Sequence, residues 1–271
     1  MKIFLDIGSH VGETLIEVTK EKYSFDKIFC FEPSIFCMDD LKKFSDLDDR
    51  ISICPFGLSN QNQDAELFQP GSLGGTIVKG EIHDVGKEHD PTFRDDRKIE
   101  KIKLRDANEW CEENLNADDY IVVKTNCEGS EVDILDSLID GKFMKNIYSF
   151  LVTFDIREHK EFQHREIEIR KKLKDTGLTN FCFSDDVMIG RSHIERIANW
   201  LRLFGIDSNE KDLSALKQNY RKVFLQYSSK SGFFTRWEIR LKRIVNYKSL
   251  PLWLKTTLSF FKRILGLNRE R

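Results

Sequence analysis

Near the start of the chain lies the segment Phe4-Leu5-Asp6-Ile7-Gly8-Ser9-His10-Val11-Gly12-Glu13-Thr14. An apolar strand pattern runs here into a turn with two glycines, and helical spacing follows. Gly8 permits a tight turn, and Gly12 permits the next helix to pack close to a strand or a ligand. Free N–H groups at the start of such a helix face the crevice beyond the strand ends. The stretch therefore predicts the first strand, turn and helix of a nucleotide-binding sheet.

The spacing of the two glycines indicates the size of the ligand. The pattern is G-x-x-x-G, whereas the dinucleotide pattern is G-x-G-x-x-G. His10 stands where a central glycine would let the backbone approach a pyrophosphate. This departure disfavours a dinucleotide and favours a smaller ligand.

Short apolar runs alternate with helical spacing along the rest of the chain. Continuous apolar strands separated by helices predict a parallel sheet covered on both faces, with right-handed crossovers. The predicted fold class is α/β, a Rossmann-like, doubly wound, mostly parallel sheet. The predicted strands are Lys2–Ile7, Lys27–Phe31, Ile51–Cys54, Tyr120–Lys124, Tyr148–Phe154, Asn180–Phe183 and Lys222–Gln226. The predicted helices lie at 12–21, at 35–44 after Ser34, from Asp106 in a capping-box pattern, and at 130–139 and 194–204.

Residues 69–100 carry five glycines and two prolines without a clear period. A loop of this length inside a compact domain is usually a lid or a binding loop. We therefore expect 69–100 to cover the site and to contact the acceptor substrate.

Composition excludes several classes of protein. The hydrophobic content of 40% is enough for a sizeable core, so wholesale disorder is excluded. No apolar run reaches the length of a membrane span, and MKIFLDIG does not resemble a signal peptide. The six cysteines form no CxxC pair and predict buried thiols in a reducing, cytoplasmic compartment rather than a metal site.

Charge divides the chain into a body at 1–229 and a tail at 230–271. The tail has eleven basic and two acidic side chains, although the whole chain has a formal net charge of −2. Its apolar residues follow helical spacing, so it predicts a basic amphipathic helical tail. Such helices bind anionic membrane surfaces, here the inner face of the cell membrane; the alternative is packing on the domain or on a second subunit. The acidic body disfavours nucleic acid as a partner.

Two further stretches carry polar residues at predicted strand ends. Glu32 closes the second strand in Phe31-Glu32-Pro33, twenty residues after Gly12. An acid at that place can accept hydrogen bonds from ribose hydroxyls. The third stretch, Val123–Glu131 (VKTNCEGSE), follows the fourth strand at the edge where open sheets bind ligands.

These three stretches, in this order, resemble the FkbM-type methyltransferases, a family of class I S-adenosylmethionine-dependent enzymes. The resemblance covers about the first 155 residues of the chain. It implies the class I methyltransferase fold, S-adenosylmethionine as cofactor and a sugar-like acceptor. It also implies a pocket for the methionine end of the cofactor at Asp6, Gly8, His10 and Gly12, a ribose site at Glu32, and an adenine border near Phe56.

The acceptor side of the site follows from the same resemblance. It implies that Lys124, Asn126 and Glu128 face the methyl acceptor. The family usually has an acid where this chain has Asn126, and an amide cannot act as a base. Glu128 or Asp155 could supply the carboxylate, or transfer could rely on positioning alone. Metal dependence is left open.

Three hypotheses of function remain from the sequence. The first is O-methylation of a hydroxyl on a sugar or glycan, such as a membrane-linked surface polysaccharide. The second is a nucleotide-binding oxidoreductase or sugar-nucleotide enzyme, against which His10 argues. The third is a non-catalytic S-adenosylmethionine-binding scaffold that lacks a base at Asn126.

Overall fold

The structure is a computed structural model, and it describes residues 1–79, 99–156, 159–188 and 190–207. Several predictions fall outside these ranges. They are the closing strand at 222–226, the tail at 230–271 with its boundary, and residues 80–98 of the predicted loop. These remain predictions.

The main sheet has six parallel strands, which confirms the predicted Rossmann-like α/β fold. Its order is β3-β2-β1-β7-β8-β9. Counted along the chain, this is the strand order of doubly wound nucleotide-binding sheets. The strands are β1 (Lys2–Ile7), β2 (Lys27–Phe31), β3 (Ile51–Cys54), β7 (Tyr120–Thr125), β8 (Ile147–Val152) and β9 (Phe181–Phe183).

Helices cover both faces of this sheet. One face packs against α3 (Ala107–Asn114), α4 (Glu131–Asp140) and α5 (Gln163–Asp175). The opposite face packs against α1 (Leu15–Val18), α2 (Met38–Ser45), α6 (Ser184–Val187) and α7 (His193–Leu203). No helix in the described ranges is long and apolar enough to cross a membrane.

The alternation of side chains along β1 shows why the sheet needs two cores. Ile3, Leu5 and Ile7 point into one cluster, and Phe4 points into the other. All four are nearly inaccessible to solvent. Burial of one such side chain stabilises the fold by roughly 1.5–3 kcal/mol, so a continuous apolar strand is favoured only between two helical layers.

A second, smaller sheet lies between β3 and α3 in the sequence, and the sequence analysis did not predict it. It consists of β4 (Gly57–Ser59), β5 (Gln63–Phe68) and β6 (Ile99–Asp106), in the order β4-β6-β5. The predicted loop 69–100 is therefore too long at its end, because β6 begins at Ile99. Leu67, Ile102 and Leu104 form a separate core cluster in this sheet.

The first helix is shorter than predicted. Residues 10–14 form turns, and the helix α1 begins only at Leu15. Gly12 has a φ of +91°, which no α-helix contains, so the helical spacing from Gly12 could not become helix there. A Cβ on Gly12 would also lie 2.6 Å from the ring of Phe44 in α2.

Two predicted helix starts are present. Ser34 accepts a hydrogen bond from the Phe36 N–H, although the turn that it caps is a 3₁₀ helix at Ile35–Cys37 preceding α2. Asp106 accepts the N–H of Glu109 at 2.9 Å and so caps α3. The reciprocal half of the capping box is absent, because the Asp106 N–H donates to Asn62 instead.

Candidate functional site

A cavity of about 310 Å³ lies at the carboxyl ends of the parallel strands. The strand order reverses between β1 and β7, and ligands bind in open sheets at such a point. Ile7 pairs with Thr125, so the two strands end side by side and their turns share the cavity. Six of the predicted site residues line it: Gly8, His10, Glu32, Lys124, Asn126 and Glu128.

Glu32 is held at the cavity wall by two backbone donors. Its Oε2 accepts the His10 N–H at 3.0 Å, and its Oε1 accepts the Ser34 N–H at 2.9 Å. The side chain is buried, and burial raises the pKa of its carboxyl, while the two N–H groups and the charges of His10 and Lys124 oppose that rise. A carboxylate has about four lone pairs, so two remain for hydroxyl donors.

The glycine turn after β1 is fixed by the ends of its neighbouring strands. The N–H groups of Gly8 and Ser9 both donate to the Phe31 carbonyl, at 3.0 and 3.1 Å. Gly8 has a φ of +78°, and a Cβ there would lie 2.0 Å from the Asn126 carbonyl oxygen. Glycine is therefore required at this position because the β7 backbone passes directly against the turn.

Lys124 and Asp6 form a buried ion pair beneath that turn. The Lys124 Nζ lies 3.0 Å from Asp6 Oδ1 and donates to the Gly8 carbonyl at 2.9 Å. Burial raises the pKa of the Asp6 carboxyl, and the Lys124 charge opposes this. Asp6 does not line the cavity, so its placement differs from the predicted contact with the cofactor. The pair positions the turn.

His10 projects from a left-handed backbone, with a φ of +49°. Its Nδ1 lies 2.9 Å from Glu13 Oε1, and its Nε2 lies 3.4 Å from the Gly71 carbonyl oxygen. Burial alone lowers the pKa of this imidazole, but the hydrogen bond and charge of Glu13, with Gly71 and Glu32, raise it overall. His10 thus links the glycine turn to the segment after β5.

Besides Asp6, three predicted site residues lie away from the cavity lining. Gly12 packs against Phe44 of α2. Phe56 lies edge-on to Phe31, with ring centroids 5.9 Å apart, under the Arg105 guanidinium. Asp155 follows β8 and is also not a lining residue. The two residues after Phe56, Gly57 and Leu58, line the cavity in its place. They belong to β4, with which the chain enters the second sheet.

The turn after β7 brings Asn126 and Glu128 to the cavity. Glu128 has a left-handed φ of +50°, and its carbonyl accepts a hydrogen bond from the Thr76 hydroxyl. A Cβ on Gly129 would lie 2.7 Å from Val78 Cγ2. The described start of the predicted loop therefore packs on this turn, and Gly71, Ser72, Leu73, Gly75 and Ile77 line the cavity.

Glu131 holds this second turn in place, a role that the sequence analysis did not assign. It is fully buried, and its carboxylate accepts the N–H groups of Gly129 at 2.8 Å, Asp155 at 2.7 Å and Ile156 at 2.7 Å. The acid thus joins the turn after β7 to the turn after β8.

The second sheet supplies an apolar wall to the cavity. Gly57 lies at its edge, and four leucine and isoleucine side chains follow from β4, β5 and β6: Leu58, Leu67, Ile102 and Leu104. These side chains are buried. A flat apolar ring is the kind of group that such a wall accommodates. No strand was predicted here from the sequence, so this wall was not predicted either.

His193 is a second site residue without a sequence signal. It is the first residue of α7, and its Nε2 lies 3.0 Å from the Thr14 Oγ1. Both residues line the cavity. Burial, with the charge of Lys124, lowers the pKa of His193 to about 4, so the ring is neutral at pH 7.

Within the described ranges, no group of three or more His, Cys, Asp or Glu side chains could hold a metal ion. All six cysteines are free thiols; five are buried and Cys127 is partly buried.

No family model matches the chain, and no curated protein matches it. Among solved structures, the chain is similar to the crystal structure of the methyltransferase FkbM from Methylobacillus flagellatus KT. The sequence identity is 14% and the TM-score is 0.33. The match covers 55% of this chain and 32% of that chain, so this chain matches about a third of the length of that protein. The fold assignment rests on the strand order and the two-faced core, not on this likeness.

Proposed function

We propose that the chain is an S-adenosylmethionine-dependent O-methyltransferase that acts on a hydroxyl of a sugar or glycan. The observation that carries this proposal is the placement of Glu32. A buried carboxylate is held by two N–H donors at the end of β2 and faces a cavity at the switch point of the sheet. A vicinal diol, such as that of a ribose, is the group that two remaining carboxylate lone pairs bind.

The other walls of the cavity fit the remaining parts of this cofactor. The apolar side chains of the second sheet provide a surface for the adenine ring. The turn around His10 provides polar groups for the amino-acid end, as the resemblance to FkbM-type enzymes implies. The cavity volume of about 310 Å³ lies at the lower end of the range for small-molecule sites.

When bound, S-adenosylmethionine supplies an electrophilic methyl group on its sulfonium. The protein then has to hold an acceptor hydroxyl in line with that group, and orientation of this kind can supply about 7–11 kcal/mol of barrier reduction. Asn126 and Glu128 line the cavity beside the glycine turn and are the predicted acceptor-side residues. The buried Lys124–Asp6 pair keeps that turn in position.

Calorimetric titration tests the cofactor site. Wild type should bind S-adenosylmethionine and S-adenosylhomocysteine, and Glu32→Ala should weaken both affinities at least about 100-fold, because a buried charged hydrogen bond contributes roughly 1.5–3 kcal/mol and two are lost. Glu100→Ala is the matched control. Glu100 bonds the adjacent Ser34 and Ile35 but does not line the cavity. Absent binding in wild type, or equal affinity in Glu32→Ala, would refute the proposal.

A nucleotide-dependent oxidoreductase is the second candidate, because the main sheet has the strand order of dinucleotide-binding folds. His10, in place of the central glycine, opposes it. Fluorescence enhancement of NADH on mixing, without affinity for S-adenosylmethionine, would favour this candidate. Cofactor binding without release of S-adenosylhomocysteine across a panel of glycans would favour a non-catalytic binder.

The basic segment 230–271 is proposed to hold the enzyme at an anionic membrane surface. Its net positive charge and apolar spacing support this, and a basic residue near an anionic leaflet contributes about 1 kcal/mol. Co-sedimentation with phosphatidylserine vesicles should pellet the full chain but not 1–229. If the full chain and 1–229 pellet equally, the segment does not bind the membrane, and its apolar residues pack against protein instead.

A further inference from the structure

The histidine at the start of α7 has a defined position in the cavity. Ser192 caps the helix by accepting the Glu195 N–H at 3.2 Å. Ile197 and Trp200 of the same helix are fully buried in the core that contains Phe4 of β1. The helix is therefore fixed to the sheet, and its first residue, His193, lies at the carboxyl edge of the strands.

One nitrogen of the His193 ring is held by Thr14. Thr14 is buried and follows directly after the glycine turn, and its Oγ1 lies 3.0 Å from Nε2. Nδ1 has no hydrogen-bond partner among the residues that the structure describes. A neutral imidazole has one donor and one acceptor nitrogen. In the tautomer in which Nε2–H donates to the Thr14 hydroxyl, Nδ1 is the acceptor that is left.

Burial is the main reason that the His193 ring is neutral, and the net effect of the nearby charges adds to it. Lys124 and Arg196 repel a proton from the ring, while Glu13 attracts one. The Glu13 carboxylate is already paired with His10 at 2.9 Å. Thus His10 is bonded on both ring nitrogens, whereas His193 has one ring nitrogen without a partner among the described residues.

We propose that His193 is the residue that accepts the proton of the acceptor hydroxyl during methyl transfer. This inference rests on the proposed function. The hydroxyl oxygen forms a bond to the methyl carbon, and the bond between that carbon and sulfur breaks, so the sulfonium becomes a neutral thioether. The O–H proton passes to His193, which becomes an imidazolium. A weak base is sufficient because the attacking oxygen turns oxonium-like, and its proton becomes strongly acidic.

Proton transfer to His193 is compatible with an amide, in place of an acid, at Asn126. An amide at that position cannot take the proton. His193 lines the same cavity from a different element, 67 residues further along the chain. A carboxylate is then not needed at the turn after β7.

The test compares His193→Gln with the matched control His164→Gln, since His164 is exposed on α5. Calorimetry with S-adenosylhomocysteine comes first, and both variants should bind within about twofold of wild type. Release of S-adenosylhomocysteine is then measured with a panel of methyl glycosides. His193→Gln should lose kcat by roughly 100-fold or more with a similar KM, because general-base catalysis contributes about 10²–10⁴-fold. His164→Gln should keep wild-type kcat.

Chemical rescue separates proton transfer from a structural role. Millimolar imidazole should restore part of the turnover of His193→Gly, and it should not affect His164→Gly. Turnover of His193→Gln within threefold of wild type, or loss of turnover without any rescue, overturns the inference while cofactor binding stands. A wild type that binds cofactor but methylates no glycoside overturns it too. A wild type that binds no cofactor refutes the proposed function itself.

Discussion

The turn after β1 and the turn after β7 both border the cavity and have similar features. The acids that accept an N–H group from each turn differ in whether they line the cavity. Each follows a buried parallel strand, and each contains a glycine with positive φ, Gly8 in one and Gly129 in the other. Glu32 accepts an N–H of the first turn yet still borders the cavity. Glu131 accepts an N–H of the second turn but does not line the cavity. The first acid can serve a ligand, whereas the second holds the protein together.

An acid that lies close to the cavity, as Glu131 does, therefore need not be available to a ligand. Whether a carboxylate still has lone pairs for a ligand depends on how many backbone N–H groups already donate to it. Glu131 has three N–H donors from two different turns, whereas Glu32 has two from adjacent segments of one edge. Substitutions in and around the two turns should therefore lower the stability by different amounts.

Glu131→Ala should cause the largest loss of stability. It leaves two buried N–H groups and one partly buried N–H group without their acceptor, so we expect the free energy of unfolding to fall by about 3–5 kcal/mol. Urea denaturation followed by circular dichroism measures this. The exposed Glu112 of α3 gives the control, since Glu112→Ala should stay within about 0.5 kcal/mol of wild type. A loss below about 1 kcal/mol for Glu131→Ala would mean that the carboxylate does not brace the turns.

Gly8→Ala should be next, with a loss of about 2–4 kcal/mol. The added methyl would lie 2.0 Å from a backbone oxygen of Asn126, and the φ of +78° adds strain. Gly177→Ala separates these causes, because its φ is +68° but nothing lies within 4 Å of the added Cβ. That control should lose only about 1–2 kcal/mol. Thermal unfolding of both variants provides the comparison, and equal losses would argue against a clash at Gly8.

Gly129→Ala should be milder, at about 1–3 kcal/mol. Its contact is with Val78 Cγ2, the end of a side chain that can move, although the φ of +113° remains unfavourable. Combining it with Val78→Ala should recover the steric part and leave the backbone strain. A double-mutant cycle by urea denaturation reports this coupling. A coupling energy near zero would show that the loop segment does not press on the turn.

The smallest effect concerns the His10–Glu13 pair of the first turn. The pKa of His10 is raised above its usual 6.5, so its contribution to stability is present below pH 6.5 and is lost as the pH rises through the folded-state pKa. Glu13 is partly exposed, so we expect less than about 1 kcal/mol. His10→Gln should therefore be less stable than wild type at low pH and approach it at higher pH. A stability deficit that grows as the pH rises would have the wrong sign.

Much of the main sheet could be predicted from the sequence because its strands are continuous apolar runs. β1, β2 and β3 have the predicted bounds, and β7 differs by one residue. A strand that is buried on both faces leaves an unbroken hydrophobic signal. The polar residues after such strands reach one edge, which is why six of the ten predicted site residues share the cavity.

The second sheet could not be predicted from such runs. β5 has the sequence QDAELF and exposes three of its six residues, and β4 has only three residues. β6 does alternate in Ile99-Glu100-Lys101-Ile102-Lys103-Leu104, which is the period of a half-buried strand. That alternation was the available signal, and it lay at the end of a segment interpreted as loop.

The roles of Glu131 and His193 depend on contacts that no local pattern contains. Two of the three N–H partners of Glu131 lie on the turn after β8, 24 and 25 residues away. His193 meets Thr14 across 179 residues of chain. Sequence spacing within one motif could not distinguish the buried Glu131 from the lining Glu128.

The pairing of β5 with β6 has a consequence for how this protein can change. Phe68 and Ile99 are register partners, so the two ends of the intervening segment lie side by side. Because loop-closure entropy grows slowly, doubling the length of such an insert costs only about 0.6 kcal/mol. An insert at this place can therefore change in length while the strand pair, the apolar wall and Glu32 stay as they are.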